Sequence, residues 1–195
     1  MILARSWPHG LRTGLLAADA DFSRIWPNHA AGRIIDAMLV RERTAADHDA
    51  VAAFLAANDS SRVARLGTLC EPLDHPALLA VDDAGTLAGV LTYVMDGTAC
   101  EILTLHATRQ WQGTGTALVA AVRSLAGEAG CRRLWLITTN DNVDALRFYQ
   151  RRGFRLTALH PDAVTASRQS LKPEISETGA HGIPIRDELE LSLLL

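Results

Sequence analysis

Gln110-Trp111-Gln112-Gly113-Thr114-Gly115 stands between an apolar, strand-like run (Ile102, Leu103, Leu105) and a run of helical periodicity opening at Thr116. Two glycines one residue apart let the backbone approach a bulky anion, and the unpaired N–H groups at a helix start point outward to meet its oxygens. The stretch reads as a pyrophosphate cradle in which side-chain charge is secondary; taken alone, it reads equally as a plain turn between strand and helix. A dinucleotide fingerprint needs a third glycine where this chain has Leu118, and an acidic residue about 20 positions further on. The Gly-Lys-Ser/Thr of a phosphate loop is absent.

The chain has 195 residues, 48% apolar and 21% charged, which suits one globular domain with a sizeable core. A formal net charge of -3 without a long basic run argues against an extended nucleic-acid footprint. Cys70, Cys100 and Cys131 are odd in number and widely spaced with no Cys-x-x-Cys, so neither a zinc site nor a disulfide framework is expected, and no metal. No apolar run reaches the roughly 20 residues of a membrane span, and the Gly14 to Ala20 block is too short for a secretion signal. The expectation is a reduced, cytoplasmic protein that binds small molecules or a protein acceptor.

Residues 1 to 37 show no consistent apolar face between Trp7-Pro8 and Trp26-Pro27, and read as a peripheral extension to a domain spanning 38 to 195. Leu39 to Arg43 reads as a strand, followed by a helix that Thr44 and Asp47 cap and Val51, Phe54 and Leu55 face inward. Asn58 to Gly67 reads as a second short helix, and the Glu71-Pro72 and His75-Pro76 region as loop. Ala77 to Val81, Leu87 to Val94 and Cys100 to Leu105 read as three meandering antiparallel strands. A helix over Thr116 to Ala129 follows, then a nearly continuous apolar strand, Leu134 to Thr138, of the kind usually covered on both faces. Asn142 caps a helix that ends at Gly153, and Phe154 to Leu159 and Glu188 to Leu193 read as the last strands. The insert at 160 to 187 is long for a plain loop and is a candidate binding element; its Arg168, Lys172 and Arg186 suit an acceptor carboxylate or phosphate, or are simply solvated.

This order, with Gln110-x-x-Gly113-x-Gly115 followed by Asn142-x-x-Ala145-x-x-x-Tyr149-x-x-x-Gly153-Phe154, resembles the GNAT N-acetyltransferase superfamily over about residues 39 to 195. The resemblance implies an α/β (α+β) fold, a central mixed but mostly antiparallel twisted sheet of about six to seven strands flanked by about four helices. It implies acetyl-CoA as cosubstrate and a primary amine of a small molecule or peptide as acceptor, with a homodimer left open. Gln110, Trp111, Gln112, Gly113, Thr114, Gly115 and Thr116 would hold the pyrophosphate; Leu103, Thr104 and Leu105 would line the pantetheine arm, which Asn142 also contacts. The N–H of Leu105 would face the thioester oxygen, and Tyr149 would return a proton to the leaving thiolate. For the base, even strand spacing places Glu101 on the face of Leu103 and Leu105 and turns His106 to the opposite, structural side; water relays are an alternative. Cys100 and Cys131 lack a paired base and make poor nucleophiles. A second reading is a catalytically inactive acyl-CoA-binding sensor or interaction module, and a third is a nucleotide-binding regulator.

Overall fold

The computed structural model describes residues 33–35, 38–109 and 112–195. Its frame is a sheet of eight strands in the order β1-β2-β5-β6-β7-β8-β10-β9, with a separate two-stranded hairpin, β3-β4. The strands are β1 (Arg33–Ile35), β2 (Met38–Glu42), β3 (Val63–Arg65), β4 (Thr68–Cys70), β5 (Ala77–Val81), β6 (Leu87–Asp96), β7 (Ala99–Ala107), β8 (Arg133–Thr139), β9 (Arg155–His160) and β10 (Glu188–Leu194). The helices are α1 (His48–Ala56), α2 (Thr114–Glu128), α3 (Val143–Gln150) and α4 (Ala163–Ser170). All neighbouring strands run antiparallel except β7 and β8, so the mixed, mostly antiparallel sheet read from the sequence is present as seven longer strands with three-residue β1 at the edge. β1 lies within the segment read as a peripheral extension and pairs with β2; the remainder of that segment, with Gln110 and Trp111, lies outside the described residues. Among the described residues no helix is long and apolar enough to cross a membrane.

Two apolar layers flank the sheet. On one face Leu118, Val119, Val122 and Ala126 of α2 meet Leu91, Ile102, Leu134, Leu136 and Leu191. Each such leucine, wholly removed from water, contributes about 1.5–3 kcal/mol. On the other face Val51 and Leu55 of α1 meet Ala77, Leu79 and Val90. The start of α1 is fastened as the sequence implies: the Asp47 carboxylate accepts from the Thr44 N–H at 2.8 Å and from both terminal nitrogens of Arg41 at 2.7 Å. Those Arg41 hydrogen bonds are the main reason that Asp47 is held well below the usual carboxylate range. The apolar strand at β8 is covered less evenly than its composition implies, with Leu134 and Leu136 buried and Trp135 and Ile137 only partly so.

The second short helix expected over Asn58 to Gly67 is not formed. Val63 to Arg65 pairs instead with Thr68 to Cys70 across a two-residue turn in which Leu66 (φ 47°) and Gly67 (φ 70°) are both left-handed. Such a turn matches the twist of the strands it joins, and glycine takes that conformation without strain. Leu66 is held there from far away, because its N–H donates to the Glu188 carboxylate at 2.8 Å.

α2 lies so close to β6 that a side chain at Gly89 has no room. A Cβ there would fall 2.7 Å from Thr114 Cγ2, 2.9 Å from the His106 carbonyl oxygen and 3.1 Å from Leu118 Cδ1. The carbonyl belongs to the backbone of the neighbouring strand, β7, and cannot rotate away. Gly89→Ala is therefore expected to destabilise the fold by about 2 kcal/mol, read in a thermal melt as a fall of several degrees in Tm; an unchanged Tm would show that α2 does not bear on the sheet at this point.

Candidate functional site

The β7–β8 pairing, the one parallel pairing in the sheet, runs only from Ala99↔Arg133 to Ile102↔Leu136. Beyond it β7 continues to Ala107 and β8 to Thr139 without meeting, which leaves a split in the sheet. The split opens into a cleft of about 990 Å3 walled by both strand ends, the start of α2 and the length of α3. Backbone groups on the two facing edges have lost their ladder partners and are available to a ligand.

Which groups of β7 face the opening follows from its pairing with β6. The Thr108 N–H donates to the Ala88 carbonyl at 2.9 Å on the β6 side, and amide direction alternates along an antiparallel strand. Thr104 and His106 therefore turn their amides to β6, and Leu105 and Ala107 turn theirs to the split. This is the orientation that the family resemblance requires of Leu105.

A bulge at Leu103 overturns the reading of which side chains share a face. Thr92 pairs with Thr104 but Tyr93 with Ile102, so Leu103 is the extra residue. Ile102 and Leu105, three apart, both turn to the α2 layer as partners of Tyr93 and Leu91. Glu101, Thr104 and His106 share the opposite, α1-facing side: Thr104 Oγ1 lies 2.7 Å from Thr92 Oγ1, and His106 Nε2 lies 2.8 Å from Ser60 Oγ. Strand alternation alone cannot see the extra residue, so it places Glu101 on the face of Leu105; His106 does lie opposite Leu105, as alternation requires, but Glu101 lies there with it.

Glu101 is 5% exposed and its Oε1 lies 2.8 Å from Arg65 Nε of β3. Burial is the largest influence on it and pushes its pKa up to about 7, against the pull of Arg65. It sits beneath the β3–β4 hairpin, whereas His106, Ser60 and Asn58 reach the cleft wall. Burial alone pushes His106 below the ordinary histidine range. Both Cys100 and Cys131 are buried free thiols with raised pKa, Cys100 pushed up to about 12 by desolvation, which removes them as nucleophiles.

The opposite wall is the glycine turn before α2. Gly113 precedes α2 with φ 88°, a left-handed conformation that suits glycine, and among the described residues no side chain caps the helix. The first-turn amides of Thr114, Gly115 and Thr116 are thus left to the cleft, with no acidic residue in that turn to compete for them. Gly115 is needed for a second reason, since a Cβ there would lie 3.2 and 3.3 Å from Phe148 ring atoms of α3. The Arg152 guanidinium stacks 3.5 Å from the centre of the same ring, donates to the Phe148 carbonyl at 2.7 Å and also donates to Thr116 Oγ1. A cation is thereby fixed beside the helix N-terminus, an arrangement that a bound anion relieves. Gln112 is exposed beside this turn.

α3 supplies the remaining residues. Asn142 Oδ1 accepts from the Ala145 N–H at 3.1 Å, as a capping residue should, and its side chain also borders the cleft. Tyr149 lines the cleft with its ring edge-on to Phe148 and Phe154, at 5.0 and 5.2 Å between centroids. Desolvation raises its pKa above the ordinary phenol range, so the O–H stays intact at neutral pH.

The insert between β9 and β10 is tied down by the very cations read as acceptor ligands. Arg168 donates to the carbonyls of Ile175, Ser176 and Ile185 at 2.6–2.9 Å, and Lys172 donates to those of Asp59 and Arg62 at 3.0 and 2.8 Å. Arg186 pairs with Asp187 at 2.9 Å. Their positive charge is spent on holding α4 and its following loop over β3, and the sequence offered no local signal of those distant carbonyls.

A model of the acetyltransferase (GNAT) family matches residues 39–154. The uncharacterized protein YdhI of Bacillus subtilis (strain 168) is 46% identical over 126 residues, 65% of this chain and 77% of its own. Among solved structures, the IAA acetyltransferase from Bacillus cereus ATCC 14579 superposes with a TM-score of 0.64 at 20% identity, over 81% of this chain and 99% of that one. A GNAT family acetyltransferase from Elizabethkingia anophelis with acetyl-CoA bound gives a TM-score of 0.59 at 22% identity, over 83% of this chain and 100% of that one. The split sheet, the uncapped turn and the family match over more than half the chain agree: this protein belongs to the acetyltransferase (GNAT) family, a family of acyltransferases.

Proposed function

We propose that the protein is an acetyl-CoA-dependent N-acetyltransferase that passes the acetyl group directly to a primary amine of a small molecule or peptide. The observation that carries this reading is the split between β7 and β8, closed at one end by the uncapped start of α2. A pantetheine arm has the peptide-like amides that an unpaired strand edge accepts, and a diphosphate suits the free amides of Thr114 to Thr116. The Elizabethkingia relative of the same fold holds acetyl-CoA, which supports the same ligand here.

Leu103 to Leu105 line the acetyl end of the arm, and the Leu105 N–H, turned to the split, donates to the thioester oxygen as negative charge develops on it. Tyr149, kept protonated by its burial, returns a proton to the thiolate that leaves. No covalent enzyme intermediate is required, consistent with the raised pKa of the buried thiols. The amine approaches from the α1 side of the sheet, where Asn58, Ser60 and His106 form the wall, and a base on that side of β7 takes its ammonium proton. Glu101 and His106 are the two ionisable groups that β7 presents there.

Asn142 is expected to serve twice, as helix cap and as a donor to the arm. Asn142→Ala should cost about 1 kcal/mol in urea unfolding and weaken acetyl-CoA binding in calorimetry, whereas Asn142→Asp, which keeps the capping oxygen, should weaken binding alone; equal affinity in all three proteins would limit Asn142 to capping. An acceptor screen over amines, amino acids and peptide N-termini, read as thiol release from acetyl-CoA, should find turnover, and Tyr149→Phe should cut it by about an order of magnitude or more with acetyl-CoA affinity intact. Binding without turnover of any amine would instead mark a non-catalytic acyl-CoA-binding module.

A further inference from the structure

The Ser60–His106 contact joins the connection after α1 to the strand that bears the Leu105 amide. Ser60 Oγ lies 3.0 Å from the Asn58 carbonyl oxygen and 2.8 Å from His106 Nε2. A carbonyl only accepts, so the single hydroxyl proton of Ser60 goes to Asn58, and Ser60 Oγ must accept from its other neighbour. Nε2 then carries the imidazole hydrogen and Nδ1 the lone pair. Nδ1 has no hydrogen-bond partner among the described residues, yet it is not among the buried polar atoms left unpaired; it keeps contact with solvent, and its residue lines the cleft. An acceptor for a proton is thereby held, in one tautomer, next in sequence to the amide that meets the thioester.

We infer that His106 is the base that takes the proton of the acceptor's ammonium, and that Ser60 is the residue that positions its ring. The inference rests on the transferase reading above and assigns the base that reading leaves open between two residues. Glu101 stands further from the chemistry in two respects: it lies before the bulge, where β7 is still paired with β8, and its carboxylate is against Arg65 under the hairpin. His106 lies beyond the point where the strands part. Val90 of β6, its cross-strand partner, and Ser60, which contacts the ring, are uncharged. The charged residues by Ser60 are Asp59, which is exposed, Arg62, which pairs with Glu174, and Lys172, which donates to the Asp59 and Arg62 carbonyls; along β7 they are Glu101 and, past its end, Arg109. Burial without a neighbouring carboxylate keeps the ring neutral at pH 7, as a base must be.

The step balances as follows. One ammonium proton moves to His106 Nδ1, and the freed nitrogen lone pair forms a bond to the thioester carbon. The C–S bond breaks with its electron pair on sulfur, which takes the Tyr149 hydroxyl proton. A second proton, shed by the nitrogen as it becomes an amide, replaces that of Tyr149. One proton thus leaves the site through His106 to solvent, and the other ends on the CoA thiol.

The test uses the full chain with acetyl-CoA and the amine that reacts fastest in the acceptor screen. His106→Gln should lower kcat by about 100-fold while calorimetry gives the same acetyl-CoA Kd within about twofold and Tm stays close to that of the parent. In the parent, kcat/KM should fall as pH drops through the lowered His106 pKa, because protonation removes the lone pair; this acid limb should vanish in His106→Gln and persist in Glu101→Gln. Ser60→Ala should lower kcat by about tenfold and shift the limb, and 15N NMR of histidine side chains should find hydrogen on Nε2 in the parent and a tautomer mixture in Ser60→Ala. Loss of the limb in Glu101→Gln with its survival in His106→Gln would overturn the inference, as would hydrogen on Nδ1 in the parent. A parent that binds acetyl-CoA and acetylates no amine would overturn the transferase reading itself, an outcome distinct from a parent that is active and a His106→Gln variant that is equally so.

Discussion

Parallel pairing between β7 and β8 ends at Ile102 and Leu136, and the bulge at Leu103 falls one residue beyond. The two events act together. The parting of the strands exposes a backbone edge that would otherwise be a closed ladder, and unpaired amides of this kind demand a partner. The extra residue then resets the side-chain alternation, so that Leu105 turns to the apolar layer while Thr104 and His106 turn to the α1 face. One strand thus offers a backbone donor to the split and a polar wall to the far side. Without the bulge, His106 would be driven into the α2 layer and the wall would be apolar.

The opposing wall depends on close approach rather than on charge. Gly89 lets α2 press on β6, and Gly115 lets the same helix press on Phe148 of α3. Phe148 in turn carries Arg152 across its face and meets Tyr149 edge-on, so one ring fixes both the cation at the α2 terminus and the phenol in the cleft. A helix start with glycine at the cap and no acidic first turn forgoes only about a few tenths of a kcal/mol of capping, because glycine is itself a tolerated cap. Its place at the rim of the cleft leaves its first-turn amides open to a ligand, the role proposed for them.

The roof over the α1 face is assembled from segments far apart in the chain. Glu188 on β10 holds the Leu66 N–H, Arg62 pairs with Glu174 at 2.7 Å, and Asn140 accepts from the N–H groups of Arg186 and Asp187. Asp141 accepts from the Ala180 N–H at 2.9 Å, and a Cβ on Gly179 would overlap that carboxylate. The stretch Asn140-Asp141-Asn142 therefore fastens the insert with its first two residues and caps α3 with the third. The insert and the α3 wall are coupled through three consecutive residues.

The glycine turn into α2, the Asn142 cap and the Tyr149 helix are legible in the sequence because each rests on local rules: glycine spacing, a capping side chain, apolar residues at helical intervals. What escaped was set by partners outside the window. Leu66 takes a conformation unfavourable to leucine because a carboxylate 122 residues later holds its N–H, so a helix was read where a hairpin forms. The Leu103 bulge is a mismatch of register between two strands, and neither strand announces it; counting by twos places Glu101 with Leu105 and apart from His106, whereas in the fold Glu101 joins His106 on the face opposite Leu105. Arg168 and Lys172 carried full charge in composition, yet in the fold their donors go to backbone carbonyls that no charge pattern marks. The elements of the site were thus readable from local chemistry, whereas the face each β7 side chain presents was decided by the pairing of whole strands. His106 shows the consequence most directly: its identity is plain in the sequence, but its place beside Ser60 exists only once Leu103 has slipped out of register.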